Sequence, residues 1–232
     1  MIELREASVV VDSPQGHVTL LEPTTLRLDE SRVGIVGANG SGKSTLVRLF
    51  NGLSLPASGQ VLVDGLDVAE QGREVRRKVG FVFTHPDAQL VMSTPLEDVS
   101  LSLRRTVADK RERRERARAV LDEIGLGERA DVSVHSLSGG QKQLLALAGV
   151  LATEPEVVVA DEPTTLLDLR NARLVAERLF GLRQQVVVVT HDLDLARRCD
   201  RVLVVDQARV VFDGAAAEAV DHYVALVEDS AL

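Results

Sequence analysis

Eight consecutive residues, Gly37-Ala38-Asn39-Gly40-Ser41-Gly42-Lys43-Ser44, leave this chain few folds to choose from. They follow the apolar run 33–36 and precede a helix-like stretch at 44–53. Glycines at these positions let successive backbone N–H groups curl around one anion, and the following helix adds the positive end of its dipole. In this G-x-x-x-x-G-K-[ST] pattern the Lys43 ammonium reaches the β- and γ-phosphates of a nucleotide, and the Ser44 hydroxyl ligates Mg²⁺. The alternative, a glycine-rich turn with no ligand, does not explain why a strand should lead in and a helix lead out.

The rest of the chain continues the alternation. Residues 2–4, 9–11 and 24–28 read as strands, with Ser-Pro-Gln-Gly at 13–16 as a turn. A strand at 60–63 ends on the turn dipeptide Asp64-Gly65, and 79–83 is another short strand. Residues 95–125 are helical in composition, with Ala117, Val120, Leu121 and Ile124 on one face. The stretch 140–152 is apolar almost all round and should form a buried helix. Then follow a buried strand at 157–160, a helix at 166–182, a strand at 186–190, a short helix at 193–198, a hairpin at 202–205 and 209–212, and a last helix after Gly214. Apolar strands alternating with helices predict a parallel sheet covered on both faces. The core has to be built from Val, Leu and Ala, because aromatics are only 3% of the 232 residues. One cysteine excludes a disulfide framework and a cysteine zinc cluster. No run approaches the ~18–20 apolar residues of a membrane span, the start MIELREASVV has no signal-peptide pattern, and a net charge of −8 argues against a nucleic-acid partner.

A phosphate loop alone is compatible with a kinase, a GTPase, a motor or a transporter ATPase, so the choice rests on other segments. The apolar run 157–160 ends in Asp161 and Glu162. Sheets of this kind bind ligands at the carboxyl ends of their strands. These acids are therefore expected beside the loop, Asp161 holding Mg²⁺ and Glu162 orienting or deprotonating the attacking water. Leu137-Ser138-Gly139-Gly140-Gln141 opens the apolar helix with two glycines and a hydroxyl, the ingredients of a second phosphate cradle. With this pentapeptide between a phosphate loop and an Asp-Glu strand, the sequence resembles the ABC ATPases over nearly its whole length.

That resemblance implies an α/β fold of the P-loop NTPase class: a mostly parallel RecA-like core sheet flanked by helices, an N-terminal antiparallel β-subdomain and an inserted helical subdomain. It implies a single domain over 1–232, with core and β-subdomain at 1–88 and 153–215, the helical subdomain at 89–152 and a C-terminal helix at 216–232. It further implies ATP and Mg²⁺ bound by Gly37, Asn39, Gly40, Ser41, Gly42, Lys43, Ser44 and Thr45. Ser138, Gly139, Gly140 and Gln141 would close on the nucleotide of a second ATPase subunit. Asp168 matches the dimer-contact loop, and His191 the histidine that touches the γ-phosphate. Glu162, His191 and Lys43 are the expected catalytic residues, with Ser44 and Asp161 at the metal.

Two positions depart from the family pattern. Thr84 stands where a glutamine usually ends the strand and touches Mg²⁺, with Gln89 as a candidate substitute five residues on. No aromatic precedes Phe50 to stack on adenine, which leaves His17, or Val10 and Val11, to hold the base. The run Phe83-Thr84-His85-Pro86-Asp87-Ala88-Gln89-Leu90, with Pro163-Thr164-Thr165-Leu166-Leu167-Asp168-Leu169-Arg170-Asn171, is most similar to energy-coupling factor (ECF) ATPases of the biotin type, with cobalt or nickel uptake as the nearest alternative. Expected partners are a second ATPase subunit, identical or paralogous, an ECF transmembrane coupling subunit and a substrate-binding membrane subunit. The expected location is the cytoplasmic face of the membrane. Other ABC transporters share every catalytic motif. ABC ATPases of DNA or the ribosome usually carry coiled-coil insertions, zinc modules or paired cassettes, which are not seen here. The segment 104–118 holds eight basic and three acidic residues. It reads as a solvated helix laced with i,i+4 pairs such as Glu112–Arg116, with contact to anionic lipid through Arg111 and Arg114 as the alternative.

Overall fold

In the computed structural model, which describes residues 1–14 and 16–230, two sheets and a helical insert are built around the glycine loop. Gln15 of the expected turn and residues 231–232 of the expected C-terminal helix lie outside the described residues. From the N-terminus, β1 (Ile2–Ser13) and β2 (Gly16–Leu28) form a hairpin, and β3 (Arg32–Val36) leads through the loop into α1 (Lys43–Leu49). Next come β4 (Ser58–Val63), β5 (Leu66–Asp67), α2 (Gly72–Lys78) and β6 (Val79–Val82). The insert holds α3 (Pro95–Ser102), α4 (Lys110–Glu123) and α5 (Gly139–Leu151). The chain then alternates through β7 (Val157–Asp161), α6 (Leu169–Phe180), β8 (Gln185–Val189) and α7 (Leu193–Ala196), and ends in β9 (Arg201–Asp206), β10 (Arg209–Ala215) and α8 (Ala216–Ser230).

The larger sheet has the order β10-β9-β3-β8-β7-β6. Its inner pairs are parallel, in register Gly34↔Val188, Gly34↔Val202, Val159↔Val187 and Phe81↔Val159, and β10 closes one edge antiparallel. Side chains alternate between faces along a strand. Thus Val157 and Val159 face α1, where Leu46, Val47, Leu49 and Phe50 meet the β1–β2–β4 residues in one core. Val158 and Ala160 face the opposite core of Leu144, Leu147, Val175, Leu179, Leu195 and Val220. Burial on both faces explains the continuous apolar runs, and each buried Val or Leu contributes roughly 1.5–3 kcal/mol. The second sheet, β2-β1-β4-β5, is antiparallel. The insert packs its own core of Leu96, Val99, Leu121, Leu126, Val134 and Leu145.

Element ends moved where local polar groups outcompete periodicity. The helix expected to 53 stops at Leu49, because Gly52 takes a left-handed φ of 70° and the Asn51 carboxamide oxygen accepts from the Leu53 N–H. The expected helix at 166–182 begins at Leu169, where Asp168 caps it by accepting from the Asn171 N–H. The helical stretch 95–125 is broken between α3 and α4, and Leu103 and Val107 turn inward there. Helix α2 has no counterpart in the sequence reading, since Val75 is its only buried residue and sets no period.

Candidate functional site

Geometry of the loop follows from its glycines. A Cβ on Gly37 would stand 2.0 Å from the Val205 carbonyl oxygen, and one on Gly42, at φ 111°, would stand 2.8 Å from the Leu20 carbonyl oxygen. Both positions thus exclude any side chain. The Ala208 N–H donates to the Ser41 carbonyl, pinning the loop to the turn after β9. Helix α1 starts at Gly42 with no side-chain cap, whereas α3, α4, α5, α6 and α7 each have one. Its first N–H groups are left for an anion. The Ser41 hydroxyl is buried without a hydrogen-bond partner among the described residues, a second group suited to a phosphate oxygen. Gly40, Asn39 and Thr45 belong to the same loop and helix start.

Lys43 is buried and folds back over the loop, its Nζ donating to the carbonyls of Gly37 (2.9 Å) and Ala38 (2.8 Å). Burial pulls its pKa below the usual lysine range, opposed by the charges of Glu162 and Asp161. Ser44 Oγ donates to Asp161 Oδ1 at 3.0 Å, so these two residues meet as the sequence implied. Asp161 is 2% exposed, and burial pushes its carboxyl above the ordinary carboxylate range against the pull of Ser44, Arg48 and Lys43. Arg48 Nη2 stands 3.9 Å from Asp161 Oδ2. Two hard oxygens suit Mg²⁺, which takes one or two protein ligands and completes its shell with water and phosphate.

One stability effect follows. A carboxyl whose pKa is raised on folding resists ionising in the folded state, so its cost is absent below the unfolded-state pKa, grows as pH rises toward the folded-state pKa, and is complete above it. Asp161→Asn is therefore expected to raise the melting temperature of nucleotide-free protein at pH 7 by roughly 2–4 °C, about 1 kcal/mol in a chain of this size. The gain should fade toward pH 4. Thermal melts of the two proteins across that pH range check it, and a lower melting temperature for the variant at pH 7 contradicts it.

Glu162 sits at a left-handed φ of 50°, an uncommon backbone for this residue, held by its N–H to the Val189 carbonyl. His191 Nε2 is 2.8 Å from Glu162 Oε1, and Thr165 Oγ1 donates to Glu162 Oε2 at 3.3 Å. Strand ends β7 and β8 thus bring Asp161, Glu162 and His191 beside the loop after β3. Thr84, past the end of β6, donates its hydroxyl to the Asp161 carbonyl at 2.8 Å. Gln89 turns elsewhere: its Oε1 accepts from the Phe83 N–H and its Nε2 donates to the Ala146 carbonyl, so its amide ties β6 to α5.

The second cradle is a helix cap. Ser138 Oγ accepts from the Gln141 N–H while Gln141 Oε1 accepts from the Ser138 N–H. A Cβ on Gly140 would lie 2.4 Å from Asn171 Cγ, so this glycine is where α5 meets α6, and Asp168 Oδ2 accepts from that Asn171 amide. Among the described residues, no hydrogen bond joins 138–141 to 37–45; one chain does not assemble the two halves. Sequence reasoning missed Arg48, Thr165 and Asn171. The last two stand three residues after Glu162 and Asp168, a turn spacing that would have identified them.

A phosphate loop, an Asp-Glu strand end and an inserted helical subdomain define a nucleotide-binding ATPase. The chain belongs to the ABC transporter family, which matches residues 22–165. A Deinococcus radiodurans protein whose name proposes an ABC transporter ATP-binding role is 51% identical over 223 residues, 96% of this chain and 97% of that one. The biotin transport ATP-binding protein BioM of Rhizobium etli is 42% identical over 208 residues, 90% of this chain and 92% of its own. Among solved structures, the dimeric ATP-binding cassette MJ0796 with ADP and Pi superposes with a TM-score of 0.83 at 30% identity, covering 93% of this chain and 99% of that one. The chain is the ATP-binding subunit of an ABC transporter and hydrolyses ATP to drive transport. Among the described residues no helix is long and apolar enough to cross a membrane.

Proposed function

We propose that this chain powers an importer of the energy-coupling factor type whose cargo is biotin. The observation that carries this reading is the likeness to BioM along 92% of that protein's length; Thr84 in place of the usual glutamine accords with it. Two copies of the chain face each other head to tail. Each loop, Gly37–Thr45, holds the phosphates of one ATP, and Ser138, Gly139, Gly140 and Gln141 of the other copy close over it, with Asp168 at the contact. Ser44 and Asp161 hold Mg²⁺, which neutralises phosphate charge. Glu162 takes a proton from the attacking water; His191 and Thr165 fix its two oxygens, and His191 is left within reach of the γ-phosphate. Lys43 leaves its two carbonyls for the phosphates. Closed and open dimers differ in ATP affinity, and that difference moves the membrane subunits. Those subunits dock along 84–92, at the cytoplasmic face of the membrane, where Val91 is 70% exposed.

Adenine packs on aliphatic side chains in this reading. Val10, Val11 and Val18 are exposed on paired strands, His17 is held by Asp12 at 2.7 Å, and Phe50 is buried out of reach. A stacking ring contributes roughly 1–3 kcal/mol per base. Without one, GTP should be hydrolysed at a rate within about 100-fold of ATP, and a larger gap in steady-state assays contradicts the aliphatic pocket.

Affinity purification from native membranes tests the assignment. A transmembrane coupling subunit and a biotin-binding membrane protein should co-purify. A substrate subunit that binds a metal ion or another vitamin would replace the biotin assignment.

A further inference from the structure

Most arginines of the basic segment most visible in the sequence are engaged by their own chain. On α4, Arg111 pairs with Glu115 and Arg116 with Glu112, Arg114 and Arg118 both engage Asp131, and Arg113 donates to the Val107 carbonyl. Four other arginines, one of them from the start of that segment, are left without partners among the described residues. Arg73, Arg76 and Arg77 of α2, together with Arg105 after α3, line a cavity of about 610 Å³ closed by Thr106 and Thr153. Among the described residues no carboxylate lines it, although the chain carries 35 acidic residues. Among the described residues, no ion pair or hydrogen bond occupies any of the four guanidinium groups.

The four side chains are exposed, so water and salt screen their mutual repulsion, but they present their charge to one concavity that an anion can enter. Guanidinium forks match the oxygens of a phosphate two at a time, which lysines would not do. The threonine hydroxyls donate to the Leu103 and Val150 carbonyls and still have lone pairs turned to solvent or ligand.

Arg76 and Thr153 are shared with an adjoining groove that passes Gln89, Val91, Asp98 and Leu101. Asp98, the one carboxylate in that groove, already accepts from the Val91 and Met92 N–H groups. This is the face on which the membrane subunits dock in the reading above, so the arginines stand beside the bilayer. The walls also come from two bodies, α2 of the core and the segment after α3 of the insert, and an anion would bridge them.

We propose that Arg73, Arg76, Arg77 and Arg105 form a binding site for a phosphoryl group, outside the nucleotide site. The location beside the membrane rests on the docking reading, but anion binding by the isolated chain does not, and the test separates them. The probes are phosphatidylcholine vesicles with and without phosphatidylglycerol, and inorganic phosphate, offered to the full chain with ADP saturating the nucleotide site. Phosphatidylglycerol vesicles should bind more tightly than phosphatidylcholine alone, and raising salt should weaken them. Arg73→Gln with Arg77→Gln should weaken binding by about 25-fold, at about 5-fold per arginine. The matched α4 change, Arg111→Gln with Arg114→Gln, should cost less than about 2-fold because those charges are already paired. An unchanged melting temperature in the α2 variant shows that it folds.

Binding to vesicles but not to inorganic phosphate assigns a lipid headgroup, and an equal α2-dependent loss for inorganic phosphate assigns a free anion. Either supports the site. Binding that survives the α2 change, or that falls as far with the α4 change, overturns it. So does an α2 variant that keeps both anions and loses only assembly with the membrane subunits, since that would give the arginines to a protein carboxylate.

Discussion

Replacing Glu162 by glutamine is expected to lower ATP turnover by about 10²–10⁴-fold, the usual contribution of a positioned general base. Binding should be kept. The carboxamide is nearly the same size, and its oxygen can still accept from the Thr165 hydroxyl that now reaches Glu162 Oε2. What disappears is the ability to take a proton, together with the charge that holds His191 Nε2 at 2.8 Å. The backbone is not at risk, because the left-handed φ of 50° at this position is fixed by the N–H bond to Val189, which the substitution leaves alone. A protein that binds ATP without consuming it should accumulate the closed dimer. Steady-state phosphate release measures the first effect. A variant that keeps more than about a tenth of the wild-type rate removes Glu162 from the role of base.

Lys43→Ala should lose binding and turnover together, with kcat/KM down by about 10²–10³-fold, the range for removing one preorganised donor from developing phosphate charge. The physical reason goes beyond the lost charge. Lys43 is 4% exposed and satisfies the carbonyls of Gly37 and Ala38, so truncation leaves two loop acceptors without their donor. Each such loss costs about 1–3 kcal/mol. The loop of the variant should therefore relax even without nucleotide. Isothermal titration with ATP and a kinetic assay distinguish the outcomes. A variant that binds ATP as wild type and fails only in turnover would restrict Lys43 to the chemical step.

The parts of the site legible in the sequence were those whose geometry is local. Glycine spacing at 37–42, the apolar run ending in Asp161-Glu162 and the Ser138–Gln141 cap each dictate their own backbone, and each is where the sequence reading expected it. Long-range pairings were not legible. Thr84 reaches the Asp161 carbonyl across 77 positions, and Arg114 meets Asp131 across 17, so neither could be read from spacing. Gln89 shows the opposite risk. Nearness in sequence made it a candidate for the missing glutamine, yet the fold spends both ends of its amide between Phe83 and Ala146. The unpaired arginines of α2 are the clearest case: a seven-residue helix with one buried side chain gives no periodic signal, while the conspicuous basic helix turned out to carry its own counter-charges.

In the proposed dimer, one ATP is shared between the loop of one copy and residues 138–141 of another. Sedimentation of the Glu162→Gln protein with and without Mg-ATP tests it most directly. Saturating ATP should shift monomer to dimer, and adding Ser138→Arg to the same chain should abolish the shift while leaving nucleotide binding in place. A monomer at saturating Mg-ATP, or a dimer indifferent to the change at Ser138, would contradict the shared site.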